Sequence, residues 1–286
     1  MRKILSVIVF SLVLLLVGRN LTFLPRFDIL TDKKNETNNL KKDIEFLVKK
    51  QAGNYSIYYA SFDSDNSFGI HQDQIFTAAS VNKIPIIAVL YFLAGKGKIN
   101  LDEQIALQKD DIADYGTGSL RYQKPGTLYS LRTLVKLALS QSDNTAAHIL
   151  ALKLDPELVK QILDSWGLTQ TNIDENKTSL SDMFIIFKKI YAGEGTNASL
   201  TKELLGFMQD TDFEDRIALG LPTDTTLSHK TGDGVGIIHD VGIVQTKNTT
   251  FFLGVFTSEI GDKEAETKKA IGEITKKIID FEKNNK

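Results

Sequence analysis

Ser80 and Lys83 stand three residues apart in the stretch Thr77-Ala-Ala-Ser-Val-Asn-Lys-Ile-Pro-Ile-Ile-Ala-Val-Leu-Tyr-Phe92. If the stretch is helical, their side chains share one face, a turn apart. From Ile84 onward it is apolar nearly all round, the pattern of a helix buried in a core. A serine at the entry of such a helix sits beside free backbone N–H groups and the positive end of the helix dipole, which favour developing negative charge. A lysine stripped of water there disfavours its ammonium form, so the neutral amine can accept a proton. The chemistry implied is a nucleophilic Ser80 activated by Lys83. The competing reading is an N-capping serine followed by an ordinary surface lysine.

The rest of the chain supplies the elements that would position the pair. Leu40 to Lys50 carries Ile44, Leu47 and Val48 on one helical stripe, and Tyr55 to Phe62 alternates as a strand. Asp63 to Ser67 turns into a second short strand at Phe68 to Ile70. Gly95-Lys-Gly97 closes the Ser80 helix. Helical patterns then follow over Ser130–Ser140, Thr145–Leu154, Met183–Tyr191 and Leu200–Met208, with a further helix opened by Asp155-Pro156 and stopped by Gly167. Strand character returns at Thr225–Thr231, Ile237–Thr246 and Thr249–Thr257, and an amphipathic helix from Asp262 closes the chain. Strands near both ends with helices between predict an α+β fold: one antiparallel sheet formed from both chain ends, with an inserted mainly helical subdomain.

Composition narrows the class. The chain has 286 residues, 42% hydrophobic and 24% charged, as in an ordinary globular protein. Residues 1–26 carry four basic residues and no acid, so the overall charge of −2 becomes −6 for the remainder. That excludes a nucleic-acid partner. The absence of cysteine excludes disulfides, thiol catalysis and thiolate metal sites. Arg2 and Lys3 precede an apolar run from Ile4 to Val17, and no small-residue cleavage site follows. Residues 1–24 therefore read as an uncleaved membrane anchor or a signal segment, residues 25–39 as a polar tether, and residues 40–286 as the functional domain.

Two more polar segments complete a set. Ser142-Asp143-Asn144 falls in a tight turn between two apolar helices, and Lys230-Thr231-Gly232 ends a strand. A Ser-x-x-Lys, a Ser-Asp-Asn and a Lys-Thr-Gly, in that order, are the signature set of penicillin-recognising serine enzymes. The chain thus resembles the class A β-lactamase and low-molecular-weight penicillin-binding protein superfamily from about Leu40 to its carboxyl end. The resemblance implies Ser80 as the acylated nucleophile and Lys83 as its proton acceptor. It implies Ser142 as the relay to the leaving nitrogen and Asn144 as the holder of the substrate's side-chain amide. Lys230 and Thr231 would bind the substrate carboxylate, Gly232 would let the strand backbone pair with substrate, and the N–H groups of Ser80 and Asp233 would form the oxyanion hole. A β-lactam and an acyl-D-Ala-D-Ala stem each carry a carboxylate next to an attackable carbonyl, which suits a lysine and hydroxyl pair. Lys230 near Lys83 would lower the Lys83 pKa by like-charge repulsion. Tyr115, ahead of Gly116-Thr-Gly118, either walls the cleft or packs in the core.

One departure matters. β-Lactamases of this class carry, between the second and third motifs, a long loop with a Glu that drives water onto the acyl-enzyme. Here Gly167 to Ser179 is shorter and lacks the family's Glu-x-x-Leu-Asn. Asp174 and Glu175 are its only carboxylates. Both are expected to cap or solvate the turn, with Glu175 the one candidate deacylation base. Without a positioned base, deacylation should be slow. Asp233 would put a carboxylate at the mouth of an anion site. His71, His148, His229 and His239 show no metal-ligand spacing, so no metal or other cofactor is expected. His148, on an apolar helix, reads as a core histidine, and His229 should point away from the Lys230 face of its strand. The sequence predicts a membrane-tethered, extracytoplasmic, monomeric acyl-serine hydrolase acting on β-lactams. The alternatives are a D-Ala-D-Ala peptidase on peptidoglycan stems and a non-catalytic binder or sensor. Only Met1 to Lys3 precede the apolar run, which tells against a sensor.

Overall fold

The computed structural model describes residues 29–284, so the segment read as an anchor or signal over residues 1–24 lies outside the described residues. The described chain opens with helix α1 (Ile29–Val48) and a hairpin of β1 (Asn54–Ser61) and β2 (Ser67–Ile70). A short strand β3 (Phe76–Thr77) leads into a 3-10 turn over Ala79–Asn82 and helix α2 (Lys83–Gly95). Strands β4 (Gln104–Ala106) and β5 (Leu128–Ser130) pair with each other, and α3 (Leu131–Ser140), α4 (Asn144–Lys153) and α5 (Pro156–Ser165) follow. Strand β6 (Lys177–Thr178) pairs back to β3 ahead of α6 (Leu180–Ala192) and α7 (Ala198–Phe207). The chain ends with β7 (Thr226–Gly234), β8 (Ile237–Gln245), β9 (Thr250–Ser258) and α8 (Glu264–Asn284).

The main sheet has the order β2-β1-β9-β8-β7 and is antiparallel throughout, so strands from both chain ends meet at the β1–β9 pairing. Its strands bury residues on both faces, as a central sheet between two layers requires. Ile57, Tyr59, Leu253 and Val255 pack with Ile44 of α1 and with Ile271, Ile274 and Ile278 of α8. Their sequence neighbours Tyr58, Phe252 and Phe256 pack, with Val241 and Ile243, into the core of the helical block. The Tyr59 hydroxyl is hydrogen-bonded to the Glu282 carboxylate, tying α8 to β1.

Helix α2 is buried nearly all round and runs through the helical block, as its unbroken apolar sequence predicts. The helices around it start on side-chain caps. Ser130, Asp143, Asp155 and Ser179 each accept a hydrogen bond from a backbone N–H of the following turn. Two features were not legible. The pairs β3–β6 and β4–β5 are too short to show a period. Helix α1 reaches back to Ile29, into the stretch read as tether, because Thr37, Leu40 and Ile44 continue one buried stripe beneath a polar composition. Among the described residues no helix is long and apolar enough to cross a membrane.

Candidate active site

Ser80 lies in the 3-10 turn, and Lys83 opens α2. The one-turn spacing therefore spans a junction between two helix types rather than a single helix. Ala79, just before the serine, sits in the left-handed region at φ 49°, a conformation that costs a residue with a Cβ about 1 kcal/mol or more. The surrounding contacts hold it there. The Ala78 N–H donates to Asn176 O at 2.8 Å, and Asn82 Nδ2 donates to Ile173 O at 2.9 Å.

Lys83 is 7% exposed, and its Nζ contacts four oxygens. It donates to Ser80 Oγ at 2.9 Å, Ser142 O at 2.7 Å, Ser142 Oγ at 3.0 Å and Asn144 Oδ1 at 2.9 Å. Burial lowers its pKa to about 8 against the opposing pull of Asp143. On the far side of Ser142, Lys230 Nζ donates to Ser142 Oγ at 2.9 Å and to Thr231 O at 2.8 Å. Burial first, and then the charge on Lys83, push Lys230 well below the usual lysine value. Desolvation is thus the leading cause for both amines. Residues 80, 83, 142 and 230 converge into one hydrogen-bonded chain.

The Ser-Asp-Asn turn is built to present its outer two members. Ser142 is left-handed at φ 55°. Asp143, 1% exposed, turns inward, where Oδ1 accepts from Ala146 N at 2.9 Å and Oδ2 from Leu120 N at 2.8 Å. The Gly116-Thr117-Gly118 segment folds over this turn. Asn144 N donates to Thr117 O at 3.2 Å, Thr117 Oγ1 to Ser142 O at 3.1 Å, and Asn144 Nδ2 to Tyr115 O at 3.3 Å. Gly118 is required, because φ is 113° and a Cβ would lie 2.2 Å from Asp143 Cγ. Tyr115 is 70% exposed and lines the cleft rather than packing in the core.

Strand β7 forms the opposite side. Thr231 is buried beside Lys230. At Gly232 a Cβ would come within 3.0 Å of Ala78 O and 3.2 Å of Val81 Cγ2, so the missing side chain lets the strand lie against the nucleophile turn. Asp233 does reach the cleft, but its charge is met by Arg216, whose Nη2 donates to Asp233 Oδ1 at 2.7 Å. Arg216 is 1% exposed and also donates through Nη1 to His239 O at 2.8 Å. The sequence carried no signal for Arg216 or for Phe213, which lines the cleft 5.7 Å from Lys230 Nζ, because both come from an irregular segment. Behind the strand, as expected, His229 points away from the cleft. Its Nδ1 is 2.7 Å from Asp240 Oδ1 and its Nε2 is 3.1 Å from Glu214 Oε1. Burial alone would lower its pKa; the two carboxylates outweigh that and hold it up at about 9.

Ser80, Lys83, Ser142, Asn144, Phe213 and Asp233 border a cleft of about 590 Å³, a size that suits a small-molecule ligand. Its lining holds one carboxylate, that of Asp233. Glu175, the candidate base, is exposed, and its carboxylate accepts from Lys177 Nζ at 2.5 Å. Asp174 lines a separate groove beside α5. His148 is a correction: it is exposed and lines the Ser80 cleft. The apolar character of α4 comes from Ile149 and Leu150, which are buried, while His148 sits one turn from Asn144 on the other face.

Comparison with known proteins agrees with this geometry. Residues 39–281 match the family described as the Beta-lactamase enzyme family. The chain is similar to Beta-lactamase VEB-1 of Pseudomonas aeruginosa, 23% identical over 283 residues, which cover 90% of this chain and 94% of that protein. Among solved structures it is similar to PBP-A, with a TM-score of 0.79 and 28% identity over 86% of this chain and 96% of that one. A PBP-A variant has been solved as an acyl-enzyme complex with penicillin G. A β-lactamase from Sphaerobacter thermophilus shares the fold at a TM-score of 0.77 and 24% identity, over 85% of this chain and 96% of that one. The motifs, the antiparallel sheet with its helical block and the matched family agree, and the chain belongs to the β-lactamase enzyme family as a serine hydrolase.

Proposed function

We propose that the protein is acylated at Ser80 by β-lactams and releases the acyl group slowly. The observation that carries this reading is the unbroken contact chain Ser80–Lys83–Ser142–Lys230. Of the four oxygens around Lys83 Nζ, Ser142 O and Asn144 Oδ1 can only accept. They take two amine hydrogens and leave the lone pair of a neutral Lys83 to the Ser80 hydroxyl. As Oγ attacks the lactam carbonyl, its proton passes to Lys83; Ser142 hands its own proton to the departing nitrogen and is reprotonated by Lys83, which returns to the neutral amine. Lys230 polarises Ser142 and sits where a carboxylate on the substrate would restore its charge. Backbone N–H groups of Ser80 and Asp233 receive the developing oxyanion. Slow release follows because the one carboxylate of the cleft is held by Arg216.

A second reading, D-Ala-D-Ala peptidase action on peptidoglycan stems, is favoured by the similarity to PBP-A and by the absence of Glu-x-x-Leu-Asn from the loop over residues 167–179. Arg2 and Lys3 ahead of the apolar run support an extracytoplasmic body tethered at the membrane. Intact-mass spectrometry after mixing with penicillin G tests the first reading. The expected result is a rapid adduct that persists for many minutes. Immediate return to the unmodified mass with hydrolysed penicillin would mean efficient β-lactamase action instead. Cleavage of an acyl-D-Ala-D-Ala peptide would establish the second reading, and absence of any adduct would retire the first.

A further inference from the structure

We propose that His148 is the base that frees Ser80 from its acyl group, acting on a water held by the side-chain oxygens of Asn82 and Asn176. The inference deepens the acyl-serine reading and rests on it. Helix α4 presents Asn144 and, one turn on, His148 to the cleft. Asn144 Oδ1 is 2.9 Å from Lys83 Nζ, which is 2.9 Å from Ser80 Oγ. His148 is exposed there and makes no hydrogen bond or ion pair among the described residues, so its ring nitrogens are available.

Asn82 and Asn176, two residues from the nucleophile and on the shortened loop, line the same cleft. Both belong to one clamp: Asn82 Nδ2 donates to Ile173 O at 2.9 Å, and the Asn176 N–H donates to the same oxygen at 3.1 Å. Asn176 is left-handed at φ 54°, and its carbonyl receives the Ala78 N–H at 2.8 Å. The bond to Ile173 O fixes which end of the Asn82 carboxamide is oxygen. The Oδ1 atoms of Asn82 and Asn176 are buried and accept no hydrogen bond, and both residues line the cleft. A buried acceptor without a donor is destabilising, and a water hydrogen relieves it. A carboxamide oxygen orients water but cannot take its proton. That requires a group with a basic lone pair: Asp233 is engaged by Arg216, the Lys83 amine already faces four oxygens, and the imidazole of His148, which lines the same cleft, has no partner among the described residues.

In the step, water donates one hydrogen to a carboxamide oxygen and the other to His148. The water oxygen bonds to the ester carbon as the imidazole takes the proton. The tetrahedral oxyanion then collapses, the carbon–Oγ bond breaks, and the imidazolium proton returns to Ser80 Oγ. Ester and water become a carboxylic acid and free serine, with no other reactant.

The test follows the penicillin G adduct by intact mass in the wild-type protein, His148→Ala and His148→Gln, with and without added imidazole. The adduct is expected on all three, with its lifetime extended about 10²-fold in both variants, the usual scale of general-base catalysis. Imidazole is expected to shorten the lifetime in His148→Ala and to leave the wild type nearly unchanged. Equal lifetimes in the three proteins, or a wild-type adduct that never decays, would overturn the assignment while leaving acylation at Ser80 intact. Failure of the wild type to form any adduct would instead remove the underlying reading.

Discussion

Lys83 has at most three ammonium hydrogens and faces four oxygens within 3.0 Å. That excess of acceptors, with a pKa lowered to about 8 by burial, makes acylation sensitive to pH. The rate of adduct formation at low penicillin concentration is expected to rise with pH and level off above about 8, as the neutral amine becomes the dominant form. Asp143 pulls the other way on Lys83. Asp143→Asn, which keeps a capping oxygen and removes the charge, should move the rising limb to lower pH; a stopped-flow pH series measures it, and an unmoved or raised limb would contradict the electrostatic account. Glu175, paired to Lys177 at the surface, should be dispensable. Glu175→Gln is expected to leave the adduct lifetime within about twofold, since an exposed ion pair contributes little. A large extension would restore Glu175 as a base. At this scale the three motifs were legible because each has a fixed internal spacing. The apolar character of its helix obscures His148, although four residues beyond Asn144 is the same helix face. Arg216, Phe213 and Asn176 carried none, since they reach the cleft from segments without a period.

The elements meet where side chains are missing. Strand β7 lies against the nucleophile turn at Gly232, and a Cβ there would crowd Ala78 O at 3.0 Å and Ala79 Cβ at 3.3 Å. Gly232→Ala is expected to move strand and turn apart by a few tenths of an ångström and to slow acylation by about tenfold, because misplacement near 1 Å costs on the order of 10²-fold. Thermal unfolding should change little. A wild-type acylation rate in this variant would show that the close approach does not position the chemistry. Element types and order followed from periodicity and caps, including the return to strands after a long helical stretch. Boundaries shifted where tertiary contacts decided them. Strand β7 runs on to Gly234 because its register with β8 continues to Ile237, and α1 extends under a polar sequence because its stripe is completed by Thr37.

In the whole molecule the sheet buries two histidines with opposite responses. His239, on β8, is lowered by burial to about 4; its Nε2 bonds Thr77 O at 2.8 Å and its Nδ1 accepts from Thr257 N at 3.1 Å. His229, on β7, is held up at about 9. A group raised in the folded state stabilises fully below its free value of 6.5, and that stability is lost as pH rises through 9. A lowered histidine acts in the other direction, so stability falls as pH drops from 6.5 through 4. Each shift corresponds to roughly 3 kcal/mol. Lys83, lowered to about 8, opposes the alkaline loss between pH 8 and 10.5. Lys230, lowered well below the usual lysine value, opposes that loss as well. Denaturant titrations across pH should show stability falling less with rising pH between 6.5 and 9 in His229→Gln than in the wild type, and falling less with dropping pH between 6.5 and 4 in His239→Gln. An unchanged slope in either variant would remove that histidine from the explanation.

The site of acylation is the most direct test of the account. Peptide mapping of the penicillin-treated protein should find the adduct on the peptide containing Ser80. It should be absent in Ser80→Ala, and its formation in Lys83→Ala should be slowed by about 10² or more. An adduct on any other residue, or one that forms at the wild-type rate without the Lys83 amine, would contradict it.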